Sequence, residues 1–326
     1  MKVLVVGYGS MGRRRVRLIR RLYPDAEFIC VDINPERIEQ IKADGLIAED
    51  GLQTALQHEP EVAFVCTSPG RVHANLILEL IDAGIDTFTE LNLSRYKYED
   101  IIKKTEEKNV RVFMSSTMLY DKQIISICEE VKKSSLPVTY IYHVGQYLPD
   151  WHPWESYKDF FIGKKETNGC REIFAIQLPW LIKAFGDIRD MHVSSARQTC
   201  LHIDFHDSYV VSFAHKNGNQ GVFVADVVSR NATTYLEIVG EQLHLFWRGT
   251  PDSLMKYDPA ERKLIPVVSY EKTEHIDGYA DVIIEDEYLD EIQAFFDWLK
   301  EDKTPDYTFS DDEKVLKLID RIEGKE

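Results

Sequence analysis

The sequence predicts an α/β protein, in which a parallel, doubly wound sheet is followed by a second α/β domain with a large, mostly antiparallel, open sheet. Three observations support this prediction. Short apolar runs alternate with amphipathic segments up to about residue 135, longer alternating runs begin at about residue 137, and a glycine-rich turn follows the first apolar run. Strands that alternate with helices are typical of βαβ units and a parallel sheet.

The two domains are expected to divide near residue 120. Residues 1–120 hold the alternating short elements and residues 121–326 hold the longer runs. A chain of 326 residues is long enough to give each domain a core of its own. The C-terminal helices are free to pack back on the first domain.

The elements of the first domain follow from apolar periodicity. Five short apolar runs are predicted to be buried strands: 3–6, 28–33, 62–67, 86–91 and 110–115. Amphipathic segments between them are predicted to be helices: 35–44, 72–84 and 98–109. Gly84 directly follows the second of these segments and is expected to end that helix.

The second domain is expected to carry longer, alternating strands. These runs are 138–147, 209–215, 221–229 and 235–240. An Asn-Gly pair at 217–218 predicts a hairpin between two of them. One helical insert is expected at 176–186, and two helices, 286–302 and a short one after 308–312, close the chain.

The composition of the chain indicates which partners and which cellular compartment to expect. Fifty-five acidic and 39 basic side chains give a formal charge of −16, which disfavours nucleic acid and anionic membrane surfaces. No apolar run is long enough to span a bilayer, and glycines interrupt the N-terminal apolar segment too early for a signal peptide. The five cysteines are scattered and odd in number, so we expect reduced, buried thiols and a cytoplasmic protein.

The segment GYGSMG (7–12) has the spacing Gly-x-Gly-x-x-Gly between a predicted strand and a predicted helix. In that context the glycines allow a tight turn, close approach of the backbone to a pyrophosphate, and close packing of helix on strand. The helix N-terminus would bind the diphosphate through its N–H groups. The pattern predicts a dinucleotide-binding Rossmann domain, although glycines can also serve only to turn a tight corner.

Asp32 ends the second predicted strand, at the distance where an acidic residue binds the adenosine ribose. Its carboxylate would accept bonds from a 2′-hydroxyl and repel a 2′-phosphate, so we expect NAD. Arg13, Arg14, Arg15 or Arg37 could instead reach a 2′-phosphate, which keeps NADP as the alternative. The arginine run 13–15 could also be only a solvated helix face. The residues expected to contact the cofactor here are Gly7, Tyr8, Gly9, Ser10, Met11, Gly12, Arg13, Asp32 and Ile33.

Two further segments resemble a known family. TSPGRVHANLILELIDAGIDTFTELNLS (67–94) is similar to the stretch from Pro-x-x-x-His to Glu-Lys-Pro in the Gfo/Idh/MocA family, named for glucose–fructose oxidoreductase and inositol dehydrogenase. The C-terminal residues 290–322 are similar to the closing segment of that family. The resemblance spans nearly the whole chain and is most specific over the first 120 residues.

The resemblance implies a fold, a chemistry and site residues. Family members pair a Rossmann domain with an open-sheet α/β domain, form homodimers or homotetramers, and oxidise or reduce a carbon–oxygen bond of a sugar, polyol or related molecule with NAD or NADP. By position, Thr67, Ser68 and Pro69 would border the nicotinamide, with His73 nearby and Glu90 on the nicotinamide ribose. His73 could equally be a helix histidine without a ligand contact.

The sequence departs from the family pattern at both groups that handle the proton. Leu91 and Asn92 replace the lysine and proline that follow the family's glutamate. In the second catalytic segment, Glu172 stands at the aspartate and Ile176 at the histidine. Glu172 follows Arg171, so an ion-paired loop residue is an open interpretation of it.

A replacement for the missing acid–base group is expected in the aromatic segment 145–165. This segment resembles one found in family members of acidic-sugar and surface-glycan pathways, and its aromatic rings could stack on a sugar. His152 has a suitable titration range and is the first catalytic candidate, with Tyr157 the second. The alternative is that the aromatic residues only anchor a loop onto the sheet.

His202, Asp204 and His206 are spaced two residues apart and could be considered as ligands of a metal ion. On a strand these side chains would share one face, but they would splay too regularly to converge on one ion. We expect a polar face and no metal.

These observations lead to an NAD-dependent oxidoreductase that acts on a sugar, sugar nucleotide or related polyol with atypical acid–base residues. A catalytically silent dinucleotide-binding protein, acting as a sensor or partner subunit, is the alternative. A third hypothesis is a reductase whose substrate is electrophilic enough to need no proton donor.

Overall fold

The computed structural model describes residues 1–151, 155–270 and 284–325. The chain forms two compact units. Residues 1–116 and 288–316 make up the first, and residues 117–287 and 317–326 make up the second.

The first unit is built on a six-stranded parallel sheet of order β3-β2-β1-β4-β5-β6. Its strands are β1 (Lys2–Val6), β2 (Glu27–Val31), β3 (Ile47–Glu49), β4 (Val62–Val65), β5 (Asp86–Thr89) and β6 (Val112–Met114). Its connecting helices are α1 (Ser10–Leu22), α2 (Pro35–Ala43), α3 (Leu52–Leu56), α4 (Arg71–Asp82) and α5 (Tyr98–Lys108). The predicted doubly wound sheet is therefore confirmed.

Aromatic side chains fill the core of this unit on one side of the sheet. Phe88 stacks between Phe64 and Phe113, with ring centroids 4.9 and 5.0 Å apart. Phe295 meets all three rings edge-on. It lies on the C-terminal helix α8 (Glu285–Glu301), so that helix covers the sheet.

The second unit contains an eight-stranded sheet of order β14-β13-β12-β11-β7-β10-β9-β8. Its strands are β7 (Thr139–Gly145), β8 (Ile188–Ala196), β9 (Ser208–His215), β10 (Gln220–Asp226), β11 (Thr233–Val239), β12 (His244–Trp247), β13 (Met255–Asp258) and β14 (Lys263–Pro266). The sheet is antiparallel except where β7 pairs with β10. The mostly antiparallel sheet and its Asn-Gly hairpin between β9 and β10 are confirmed.

One face of this sheet packs on helix α7 (Gly169–Phe185). The Tyr142 ring lies 5.2 Å from Trp180, and its hydroxyl donates to Gln177 at 2.7 Å. The opposite face leaves Ile141 48% exposed and Val210 44% exposed. Alternate positions of β7 therefore point to a packed core and to an open apolar face.

The second unit also differs from the sequence-based prediction. Helix α7 begins seven residues before the predicted start at 176, because the Asn168 side chain caps it by accepting a bond from the Arg171 N–H at 2.9 Å. Helix α6 (Lys122–Lys133) was not predicted, although Asp121 caps it in the same way. The last helix, α9 (Phe309–Ile322), is longer than the short one expected. No helix in the described ranges has both the length and the apolar composition to cross a membrane.

Candidate cofactor and catalytic site

The glycine loop joins β1 to α1 with no room for side chains at two of its three glycines. A Cβ on Gly12 would lie 2.0 Å from the Gly7 carbonyl oxygen. Gly7 has φ +96°, and a Cβ there would lie 2.8 Å from the Cys66 carbonyl oxygen. Among the described residues, no side chain caps the N-terminus of α1 and no acidic residue stands in its first turn. The positive end of this helix is therefore suited to a diphosphate.

Asp32 follows β2 at the same edge of the sheet. Its two carboxylate oxygens accept bonds from the backbone N–H groups of Tyr8 at 2.8 Å and Asn34 at 2.9 Å. Arg37 lies 3.4 Å from the same carboxylate. Ile33, the next residue, is 90% exposed. A fixed carboxylate beside an exposed apolar side chain is suited to an adenosine ribose and its base.

The other loop residues expected to contact the cofactor lie around this turn. The Tyr8 side chain is turned inward and donates from its hydroxyl to Asp44 at 2.7 Å; burial and that carboxylate raise its pKa. The Arg13 guanidinium donates to Gln40 at 3.3 Å, and the Met11 sulfur accepts a bond from Arg14 at 3.4 Å. Ser10 is the first residue of α1.

Residues 67–73 follow β4. The Thr67 hydroxyl and carbonyl lie 3.1 and 3.2 Å from His73 Nδ1, and the His73 ring is completely buried. Burial lowers the pKa of His73 to about 4, against smaller opposing effects of Thr67 and Glu90. His73 is therefore neutral near pH 7 and supports the Thr67 turn. Ser68 is exposed and Pro69 is half-buried.

Glu90 follows β5 and is held by an arginine from α1. Its Oε1 accepts a bond from Arg15 Nε at 2.6 Å. Arg15 is completely buried, and it also donates to Glu291 Oε2 at 2.8 Å. The interpretation of the arginine run as a solvated face is wrong for Arg15, because α1 turns this residue into the core. Sequence reasoning missed the contact with Glu291, which lies 276 residues further along the chain.

Leu91 and Asn92 offer no acid–base group. Leu91 is half-buried, and Asn92 is completely buried with its Oδ1 accepting a bond from the Leu93 N–H at 3.0 Å. After β5 the chain therefore places a carboxylate at position 90 and no titratable side chain at positions 91 and 92.

In the second unit, Glu172 lies in the first turn of α7. Its carboxylate oxygen Oε2 is buried and has no hydrogen-bond partner among the described residues, although part of the residue is exposed. Burial raises the pKa of Glu172 from 4.5 to about 8. The interpretation of Glu172 as an ion-paired loop residue is wrong. The neighbouring Arg171 instead pairs with Asp320 at 2.7 Å and with Glu323.

The aromatic segment borders the same helix turn. His152, the first catalytic candidate, lies outside the described residues. The Trp151 ring packs against Gly169, where a Cβ would lie 2.8 Å from it. The Tyr157 hydroxyl oxygen accepts a bond from the His202 N–H at 3.3 Å. Trp151 thus contacts the first residue of α7, three residues before Glu172.

Two of the three residues considered as metal ligands have separate side-chain partners. Asp204 pairs with Lys165 at 3.3 Å, and His206 Nδ1 lies 2.8 Å from the Ser195 hydroxyl. The segment forms bends rather than a strand. Across the described part of the chain, no group of three or more His, Cys, Asp or Glu side chains is arranged to hold a metal.

Residues 1–116 match the model of a protein family described as "Oxidoreductase family, NAD-binding Rossmann fold", GFO_IDH_MocA. Over these residues the chain is similar to the Rossmann domain of that family. The expected family resemblance is thereby confirmed over this domain, and so is the expectation of an NAD-binding oxidoreductase fold. The matched residues include the glycine loop, Asp32, His73 and Glu90. No curated protein matches the chain at a significant level.

Solved structures share the fold over the full length at low sequence identity. An oxidoreductase from Agrobacterium radiobacter, in complex with NAD+, L-tartaric acid and magnesium, has a TM-score of 0.81 at 12% identity, covering 98% of this chain and 94% of its own. The WlbA dehydrogenase from Bordetella pertussis, in complex with NADH and UDP-GlcNAcA, has a TM-score of 0.76 at 16% identity, covering 100% and 96%. The UDP-N-acetylglucosamine 3-dehydrogenase GnnA from Acidithiobacillus ferrooxidans has a TM-score of 0.76 at 13% identity, covering 99% and 97%.

Proposed function

We propose that this protein is an NAD-dependent dehydrogenase or reductase that acts on a carbon–oxygen bond of a sugar, sugar nucleotide or related polyol. The observation that carries the proposal is the glycine loop with Asp32 fixed beside it. A sugar-like substrate is supported by two fold relatives that are named for, or crystallised with, UDP-linked sugars. It is also supported by the aromatic side chains of segment 145–165.

The residues of the first unit are suited to hold NAD(H). The glycine loop and the N-terminus of α1 would bind the diphosphate, and Asp32 would accept hydrogen bonds from both hydroxyls of the adenosine ribose. Thr67, Ser68, Pro69 and Glu90 follow β4 and β5, on the nicotinamide side. When bound, NAD supplies a hydride acceptor and NADH a hydride donor.

Glu172 is proposed to handle the proton. Oxidation of a secondary alcohol removes a hydride from carbon and a proton from oxygen, and an ionised Glu172 would take up that proton. Reduction runs the other way, with the protonated carboxyl as the donor. A carboxyl whose pKa is about 8 can serve both directions near neutral pH. His152 and Tyr157 are the other candidates for this role.

Calorimetry with NADH and NADPH tests the cofactor assignment. The wild type is expected to bind NADH more tightly than NADPH. Asp32→Ala should weaken NADH by about tenfold or more, because it removes a charged hydrogen-bond acceptor, and should weaken NADPH less. Asp44→Ala, which changes a carboxylate on the other side of Tyr8, is the matched control and should leave the preference unchanged. Binding of neither dinucleotide, or tighter NADPH binding by the wild type, would contradict the assignment.

A further inference from the structure

Glu90 lies on the nicotinamide side of the sheet by topology. The glycine loop follows β1 and Asp32 follows β2, so the adenosine half of a dinucleotide belongs on the β2 side. The other half must extend over the carboxyl ends of β4 and β5, on the far side of β1. Backbone bonds continue the sheet there, from the Cys66 N–H to Val6 and from the Glu90 N–H to the Val65 carbonyl. Glu90 therefore stands at this end of the cofactor site.

A buried guanidinium holds Glu90 in place. The side chains of Arg15 and Glu291 are fully buried, whereas Glu90 keeps 12% of its side chain exposed. Phe88 and Tyr288 lie over the Arg15 guanidinium, with ring centroids 4.4 and 5.4 Å away, and fix its plane. Glu90 is thus the one member of this triad, Arg15–Glu90–Glu291, whose side chain reaches the surface.

Glu291 shares the positive charge of Arg15. Besides the bond from Arg15, its other oxygen accepts bonds from the Ser115 hydroxyl at 2.8 Å and from the Ser116 N–H at 2.7 Å. Burial raises the pKa of Glu291 above its ordinary value, and the bonds from Arg15 and Ser115 act against that shift by stabilising the ionised carboxylate. One guanidinium and two carboxylates leave the triad with one net negative charge.

We propose that Arg15 and Glu291 are positioning residues that fix Glu90 and leave one net negative charge beside the nicotinamide, so that the triad favours NAD+ relative to NADH. The nicotinamide ring is cationic in NAD+ and neutral in NADH. A net negative charge in a site of low dielectric stabilises the cation and has little effect on the neutral ring. This inference rests on the proposed function, since it requires the dinucleotide to bind.

Glu291→Gln gives the direct test, because it removes one negative charge and retains the shape of the side chain. Titration calorimetry with NAD+ and NADH should show the ratio of their dissociation constants, Kd(NAD+) over Kd(NADH), rising by about threefold or more. Arg15→Lys retains the net charge and loses the two-pronged geometry, so it should weaken both forms by similar factors and leave the ratio unchanged. Glu90→Gln removes the other carboxylate charge and should shift the ratio in the same direction, which keeps the test decisive if Glu291→Gln does not fold.

Asp312→Asn is the matched control. Asp312 is a buried carboxylate of the same unit that accepts bonds from the Tyr98 and Tyr307 hydroxyls, outside the triad. Asp312→Asn should lower the unfolding temperature and leave the ratio of Kd(NAD+) to Kd(NADH) unchanged. An unchanged ratio in folded, cofactor-binding Glu291→Gln and Glu90→Gln proteins would overturn the inference alone. A wild type that binds neither NAD+ nor NADH would overturn the proposed function and the inference with it.

Discussion

Glu172→Gln should make the protein more stable at alkaline pH. In the folded state the pKa of Glu172 is raised to about 8, and an unfolded chain restores it to about 4.5. The folded protein therefore retains a proton that the unfolded chain releases. Wild-type stability should fall as the pH rises from about 4.5 to about 8 and then level off. Glutamine has no proton to lose, so the variant lacks this cost.

The size of the effect follows from the shift in pKa. A shift of about 3.5 units corresponds to about 5 kcal/mol at 1.36 kcal/mol per unit. Glu172 is partly exposed, and water that reaches its charged form reduces that figure, so we expect about 1–3 kcal/mol. The two proteins should differ little near pH 5, and the variant should be the more stable one at pH 9.

Urea unfolding at pH 5, 7 and 9 measures this difference without any knowledge of the substrate. Glu166→Gln, an exposed carboxyl just before α7, is the matched control and should show no such trend. If the difference in unfolding free energy between Glu172→Gln and wild type does not change with pH, the carboxyl is not desolvated and its proposed role in proton transfer loses its basis.

Two other outcomes can be measured in the same way. The pKa of His73 is about 4 in the folded protein and 6.5 in the unfolded chain, so the free energy of unfolding should fall by up to about 3 kcal/mol between pH 6.5 and pH 4. In urea unfolding, His73→Asn should not show this fall. If the variant loses as much stability in acid as the wild type does, the prediction is wrong. The open face of the second sheet is expected to be covered in a homodimer or homotetramer, so light scattering should report an oligomer and Ile141→Lys should lower the mass; a wild-type monomer at micromolar concentration would contradict this.

The Rossmann half could be predicted because its signals are local. The spacing of three glycines, the acidic residue after the second strand and the alternation of apolar runs each lie within a few tens of residues. The steric reason for the glycines then appears in the structure as the 2.0 Å approach to the Gly7 carbonyl oxygen that a Cβ on Gly12 would make. A local pattern of this kind can be predicted because its physical cause lies within the same short segment.

Contacts between distant parts of the chain could not be predicted in this way. Arg15 looks like any other arginine of its helix until α8 brings Glu291 to it. The parallel pairing of β7 with β10 is equally hidden, since it depends on where a long crossover returns. The early start of α7 was also hidden, because its first residue, Gly169, is a poor helix former, and with it the helical position of Glu172.

If Glu172 handles the proton as proposed, the reaction should depend on pH differently from one that uses a lysine. A lysine near its ordinary pKa is protonated at pH 7. Glu172 is also mostly protonated there, but it loses its proton at about pH 8.

If Glu172 exchanges the proton, reduction of the carbonyl should slow above pH 8 and oxidation of the alcohol should speed up through the same range. With an accepted substrate, kcat/KM measured in both directions should cross near that pH, and Glu172→Gln should lose both limbs with about 10²-fold or more of the rate. If both limbs persist in Glu172→Gln, the proton is handled by another group, and Tyr157 becomes the first residue to test.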